Sequence, residues 1–484
     1  MKQAKRSMAG AVSGLVMAGL LSTAATAQPA SAPGAPAPVL APDLATFRAL
    51  FQDMVETDTS ITTGSCTLLA DKVEAHLRGA GFGDAEIFRF AVPEAPKEGG
   101  IVVTLPGTSK TLKPMLLLGH LDVVVAKRED WTRDPYKLIE ENGYFYGRGT
   151  ADMKAMDAIW VDMLARFRKE GTKLPRTIKL ALTCGEETST AFNGARWLAQ
   201  NKPDLISAEF ALNEGGGGRT DGKGTVVVQN LHVGEKVVAN FRIEATNPGG
   251  HSSAPVKDNA IYELSDAMVK LREFDFPVML NDTTRAFFSQ AGKARGDEMG
   301  KAMEAIAANP GDKAAEALLN TDKSFHSMLR TTCVATLVSA GHANNALPQR
   351  ATANVNCRIF PGVAIEDVRK DLERVIADPR MTVTLADDRG PPGTPPPLDP
   401  KIVGPAQKLA AKYYPKAPLV PFLSTGATDG IYLSAIGIPS YGPPGVVGDP
   451  DGNGTHGLNE RIGVQGVYTA RSMLTELVKA YASK

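Results

Sequence analysis

The sequence predicts an α/β protein interrupted by a separate α+β domain. Three observations lead there. Strand-like and helix-like patterns alternate from about 44 to 230, the signature of a sheet with helices on both faces. Past about 234 the order becomes β-α-β-β-α-β, that of a ferredoxin-like unit. After a Pro-rich segment at 391–400, a plausible hinge, the α/β character returns. The second domain is therefore inserted into the first.

The elements follow in chain order. Lys2, Lys5 and Arg6 precede a small, apolar run at 8–21, and Ala25-Thr26-Ala27 offers a small-residue cleavage site. This reads as a signal peptide over 1–27 with cleavage before Gln28, which makes the mature protein secreted or periplasmic. Residues 28–42 are an Ala/Pro-rich spacer. Segments 45–57, 66–79 and 154–169 read as helices; 115–119, 177–183 and 209–213 read as buried strands. The first part of the α/β domain covers 43–233. The insertion covers 234–397, with strands at 236–245, 351–360 and 382–386 and helices at 259–274 and 364–377. Within it Ala353, Val355, Cys357 and Ile359 alternate with Thr352, Asn354, Asn356 and Arg358, as in a half-buried strand. A polar, helix-prone stretch covers 296–330. The α/β domain resumes over 398–484.

Basic and acidic residues number 53 each. Loss of the signal segment removes three basic residues and no acidic one, leaving the mature chain three charges negative. Nothing in this balance points to a nucleic-acid surface, and no later stretch is apolar for long enough to span a bilayer. The four cysteines lack Cys-x-x-Cys spacing, which argues against a structural zinc cluster. An exported chain can form disulfides, but spacing does not pair them. Cys184 and Cys357 lie in apolar strand patterns and read as buried thiols.

Five dispersed residues suggest one metal site: His120, Asp152, Glu187, Glu214 and His456. The first four stand at or near the ends of apolar runs, and His456 stands in a Gly-rich loop. Imidazole and carboxylate are the ligands of open, catalytic zinc sites, and loops beyond the carboxyl ends of strands are where α/β sheets bind ligands. Asp122 lies two residues after His120, on the same side of a strand, where it can accept the other ring N–H. Taken alone, Asp152 reads as a helix cap. Glu186 and Glu187 are adjacent and point different ways, so one can bind metal while the other serves as general base. Glu214 is followed by Gly215 to Gly218, which permit close backbone approach. The turn 425–430 is Gly-rich and could offer N–H groups to a substrate. His76, His232, His326 and His342 lack such context and read as structural or exposed. No single motif decides the matter; their joint occurrence in order does.

Together these stretches resemble the di-zinc amidohydrolase and exopeptidase family of aminoacylase, succinyl-diaminopimelate desuccinylase, carboxypeptidase S and bacterial glutamate carboxypeptidase. The motifs are GHLDVV at 119–124, W-x-x-D-P-Y at 131–136, GRGTADMK at 147–154, Glu186-Glu187, NEGG at 213–216, GGHSS at 249–253 and HGLNE at 456–460. The resemblance implies a zinc-exopeptidase-like mixed sheet flanked by helices, with the insertion as a lid and dimerisation domain. It implies two Zn²⁺ per subunit, with Co²⁺ or Mn²⁺ as substitutes. Asp152 matches the bridging carboxylate, followed by a cis peptide. His120 and Glu214 match one site, Glu187 and His456 the other. Glu186 matches the general base and Asp122 the residue that orients His120. His251 matches a lid histidine that reaches the partner subunit's active site in a homodimer. Arg358 and Asn345 match substrate-contacting positions, and Gly426 a backbone donor. Many members carry Asp before the Glu pair, where this chain has Gly185.

The expected function is an exported zinc exopeptidase acting on peptides. An N-acyl-amino-acid amidohydrolase uses the same centre and differs in the lid pocket. A non-catalytic peptide-binding protein predicts missing ligands, whereas all five and the base are present.

Overall fold

Met115 to Leu118 form a run with no charge and no break, and the strand Met115–His120 that they build is buried throughout. Such a run belongs in the middle of a sheet covered on both faces. A computed structural model describes residues 41–188, 192–386 and 395–483. The expected signal segment lies outside the described residues, as do Pro391 and Pro392 and all but the end of the spacer.

The main sheet has six strands in the order Ile87–Val92, Ala95–Leu105, Ile178–Thr183, Met115–His120, Phe210–Leu212 and Ser440–Tyr441. Its first two pairings are antiparallel and the others parallel, so the sheet is mixed, as expected. Helices Pro42–Val55, Cys66–Gly79, Lys154–Lys169, Pro400–Tyr413 and Val464–Ala482 cover one face in the largest core. Gly194–Asn201 and Gly430–Ala435 pack on the other. The helices at 66–79 and 154–169 have the predicted bounds. A second sheet runs Leu419–Ser424, Val226–Glu235, Gly217–Thr220 and Val447–Gly448. Among the described residues no helix is long and apolar enough to cross a membrane.

The inserted sheet is antiparallel, ordered Thr332–Ala340, Arg350–Ile359, Val237–Thr246 and Met381–Leu385. Helices Ala260–Glu273 and Ile365–Ile376 cover one face, where Ala353, Val355, Cys357 and Ile359 are buried. Asn354, Asn356 and Arg358 occupy the other face, as their alternation requires.

Two expectations change. The helix-prone stretch begins earlier than predicted: its helices are Asp282–Arg295, Glu298–Ala308, Lys313–Leu319 and Lys323–Met328. They share no core with the inserted sheet. Phe288, Met303, Ile306 and Leu319 instead enclose Val420 of the strand Leu419–Ser424. The cause is geometric, since an amphipathic layer buries its apolar stripe against whichever surface faces it. The cysteines also differ from expectation. Cys184 and Cys357 are not thiols: Cys66 pairs with Cys184 and Cys333 with Cys357. Cys333 and Cys357 stand opposite each other in register on neighbouring strands. Cys66 opens a helix packed on the main sheet, which brings it to a residue 118 positions away.

Phe288 is fully buried in the core shared by the helical layer and the strand Leu419–Ser424. Phe288→Ala is expected to destabilise the protein by about 3–5 kcal/mol. Denaturant unfolding followed by circular dichroism measures this, and a loss under about 1 kcal/mol would show that the cluster does not act as a core.

Candidate metal centre

Three parallel neighbouring strands end at one place. His120 is the last residue of Met115–His120. Glu186 and Glu187 follow Ile178–Thr183, and Glu214 follows Phe210–Leu212. Both flanking strands pair in parallel with the central one, so their carboxyl ends coincide. Asp152 comes from the loop before Lys154–Lys169, and the Asp152–Met153 peptide is cis. His456 arrives from the C-terminal part of the chain, in a loop where its φ is 59°.

The five predicted residues converge. His120 Nε2 lies 3.2 Å from Asp152 Oδ1 and 3.8 Å from Glu214 Oε1. His456 Nε2 lies 3.2 Å from Asp152 Oδ2 and 2.9 Å from Glu187 Oε2. Asp152 thus turns one oxygen to each imidazole. Ligand atoms of His120, Glu186 and Glu214 lie within 4.8 Å of one another, as do those of His120, Asp152 and Glu187. The two adjacent glutamates point to different neighbours, as their positions at a strand end require.

Two acidic residues build the frame. Asp122 is buried, and its carboxylate accepts the N–H groups of Gly185 at 2.7 Å and Glu187 at 3.0 Å. Its main-chain carbonyl, 3.1 Å from His120 Nδ1, is the group that orients the ring, since the carboxylate lies at 3.9 Å. The expected role of Asp122 toward His120 therefore passes to its backbone, and its side chain holds the Glu186–Glu187 turn. Gly185 has φ +98°, and a Cβ there would meet the Phe192 carbonyl oxygen at 1.8 Å. A side chain at position 185 would therefore collide with the Phe192 carbonyl in this turn.

Glu460 is the second frame residue, and sequence reading gave it no role. It is fully buried, pairs with Arg148 at 2.7 Å, and accepts N–H groups from Gly149, Ala151 and Asp152 at 2.9, 2.8 and 3.1 Å. It shapes the loop that presents Asp152. Its position four residues after His456, in the HGLNE motif, is the one signal that could have marked it. Asp429 was likewise missed; it accepts from Asn193 at 2.7 Å and Thr183 at 3.2 Å below the same turn.

The electrostatics call for cations. Burial, with the nearby Glu214 charge, pushes Glu186 up to about 10. Burial also raises Glu214, against the hydrogen bond from His120, and lifts Asp429 to about 7. Hydrogen bonds to Asp152 and Glu187 raise His456 to about 10. Burial opposes the charged form of His120, but Asp152 and Glu214 outweigh it and raise its pKa. Imidazoles pulled toward protonation by buried carboxylates mark a site short of positive charge. Two histidines and a shared carboxylate with flanking glutamates fit divalent metal ions in donor type.

A cleft of about 830 Å³ runs from Glu186 and Glu187 to the inserted sheet, where Asn356 and Arg358 line it. Arg358 therefore stands where the sequence placed it. Gly426 does not line the cleft, and its N–H donates to Ser424 Oγ at 3.1 Å; Ala427 and Thr428 line the cleft instead. His251 and Asn345 also lie outside it. They are exposed together on one ribbon, where Ser252 N–H donates to the Asn345 carbonyl.

Glu460→Ala is expected to leave a folded protein whose metal affinity falls about 10- to 100-fold, the usual cost of losing support behind a ligand. Calorimetric metal titration measures this. Unchanged affinity would remove Glu460 from the frame.

The model of Peptidase family M20/M25/M40 matches residues 116–480. The chain is 27% identical over 409 residues to the human N-fatty-acyl-amino acid synthase/hydrolase PM20D1, covering 81% of this chain and 78% of that one. It is 26% identical over 344 residues to mouse aminoacylase-1, covering 70% and 74%. The solved M20 family metallo-carboxypeptidase Sso-CP2 from Sulfolobus solfataricus aligns with a TM-score of 0.67 at 18% identity, over 92% of this chain and 100% of that one. Human carnosine dipeptidase 1 aligns at 0.62 and 16%, over 91% and 96%. These structures share the fold expected from the sequence, with its inserted domain. The chain belongs to peptidase family M20/M25/M40 and is a metal-dependent hydrolase of amide bonds.

Proposed function

We propose that this protein is an exported zinc exopeptidase, of carboxypeptidase or dipeptidase type, that cuts the amide bond next to an amino acid with a free carboxylate. One observation carries the reading: Glu186, beside the convergent ligands, and Arg358 line the same cleft. The centre is acidic and the inserted sheet supplies a guanidinium, which suits a substrate bearing a carboxylate beside the bond to be cut.

His120, Glu214, Glu187 and His456 would hold two zinc ions with Asp152 between them. Bound zinc lowers the pKa of water and polarises a carbonyl. Glu186, kept ionised once bound cations offset the burial and the Glu214 charge that raise its pKa, would take the proton of the attacking water and pass it to the departing amine. Arg358 holds the free carboxylate and fixes the amide against Glu186. The aromatic wall of the cleft, with Phe192, Trp197 and Tyr432, favours a second reading as an N-acyl-amino-acid amidohydrolase. The names of PM20D1 and aminoacylase-1 point the same way.

The working form is a homodimer. The inserted sheet ends in the strand Thr332–Ala340, whose Val334, Leu337 and Val338 are 61–69% exposed. An apolar open edge of this kind is suited to pairing with a second copy. His251, exposed outside its own cleft, would then reach the cleft of the partner and stabilise the developing oxyanion. Export rests on the basic start, apolar run and Ala25-Thr26-Ala27.

Glu186→Gln is expected to keep its metals and lose most hydrolysis, about 100-fold or more; metal analysis beside a peptidase assay checks this, and an active variant would sink the base assignment. His251→Ala is expected to give a folded, poorly active dimer, and unchanged turnover would take His251 out of the site. A panel of dipeptides and N-acyl amino acids, with free or amidated carboxyl ends, separates the two substrate readings. Preference for a blocked carboxyl end would refute the role of Arg358.

A further inference from the structure

We propose that the Cys66–Cys184 disulfide positions the Glu186–Glu187 turn, so that its reduction slows hydrolysis and weakens metal binding through Glu187 while the fold persists. Cys184 directly follows the strand Ile178–Thr183 and stands two residues before Glu186. Its partner Cys66 opens the helix Cys66–Gly79. That helix is a firm anchor: Ser65 Oγ caps it by accepting Leu68 N–H at 3.2 Å, and Leu69, Ala70, Val73 and Leu77 are buried in the main core.

The sulfurs lie within 4.8 Å of a carboxylate oxygen of Asp122, the same side chain that accepts the N–H groups of Gly185 and Glu187. Disulfide and carboxylate therefore support one turn. The turn needs that support, because Gly185 sits between Cys184 and Glu186, and glycine holds a backbone least. Other restraints include the hydrogen bonds of Gly194 N–H to the Cys184 carbonyl at 2.7 Å and of Asn193 Nδ2 to the Gly185 carbonyl at 3.1 Å. Water can replace either of these hydrogen bonds, whereas the disulfide ties Cys184 covalently to the helix. A cavity of about 210 Å³, lined by Cys66, Cys184, Asp122 and Ser65, lies beside the disulfide, whose two cysteines are buried.

The test uses Cys333→Ser/Cys357→Ser protein, in which Cys66–Cys184 is the remaining disulfide. A trialkylphosphine reduces it: two electrons pass from phosphorus to the S–S bond, water supplies oxygen and protons, and two thiols and a phosphine oxide result. The expected result is a fall in kcat of about 10-fold or more, since misplacement by 1 Å can cost 100-fold. Metal affinity, read by calorimetric titration, should fall with the displaced Glu187 while the circular dichroism spectrum is unchanged, and reoxidation should restore both affinity and turnover. Cys66→Ser/Cys184→Ser should reproduce the loss, whereas Cys333→Ser/Cys357→Ser alone should keep wild-type kcat. Full kcat in folded, metal-replete protein with its thiols free overturns the proposal, as does an equal loss from breaking either disulfide. The inference rests on Glu186 as base. An active Glu186→Gln variant would defeat that assignment; an inert one beside an intact kcat after reduction would defeat only the disulfide's role.

Discussion

The structure depends on the Asp152 carboxylate being shared between two imidazoles. One belongs to the central strand and the other to the C-terminal loop, so this single side chain joins the two halves of the α/β domain across the insertion. Both contacts favour the ionised form: burial opposes the charge, but His120 and His456 outweigh it and hold Asp152 well below the usual carboxylate range. A buried carboxylate facing two ways needs its backbone fixed. That is the task of Glu460, which gathers three N–H groups of the loop and is itself balanced by Arg148. Neutralising a buried charge with another that arrives from a distant segment makes the site a fastener of the fold as well as its chemistry.

Charge is also separated along the cleft. Carboxylates crowd the metal end, whereas Arg358 marks the end formed by the inserted sheet. Behind Arg358 the buried Lys236 donates to the Ser327 carbonyl at 2.9 Å and Thr332 Oγ1 at 3.0 Å, with no carboxylate among these acceptors. Burial, with Arg358 and Arg330 nearby, brings its pKa down to about 7. The insertion thus presents the Arg358 guanidinium, with Lys236 poised between its charged and neutral forms behind it, where it meets the acidic end of the cleft. The carboxylate-bearing substrate proposed above would match that polarity, its carboxylate toward the guanidinium and its amide toward the metal end.

Much of this was legible in the sequence, and the boundary is physical. Apolar runs ending in His120, Glu187 and Glu214 identified strands and site together, because in a parallel sheet the carboxyl ends of neighbours must coincide. The alternation around Arg358 gave its face directly. What could not be read were partners chosen by the three-dimensional path. Glu460 gathers loop N–H groups some 310 positions away, and Cys66 meets Cys184 across 118. The side-chain duty of Asp122 was misplaced because two acceptors on one residue, carbonyl and carboxylate, compete for the same imidazole, and spacing does not distinguish them. The helical layer was assigned to the inserted domain because amphipathicity shows which face is apolar and not what it covers.

That last point bears on how the insertion can act. A lid joined only by two chain crossings would be free to swing, and crossings alone would leave the position of Arg358 loosely set. Here the layer at 282–328 leaves the insertion and packs on Val420 of the α/β domain, with Phe422 beside it. Lys236, at the start of the inserted sheet, bonds to Ser327 at the far end of that layer and to Thr332, which opens the strand Thr332–Ala340. The crossing strand and the layer are therefore fixed to each other and to the second sheet of the α/β domain. Any movement of Arg358 relative to Glu186 must bend this third connection or proceed within the inserted sheet itself.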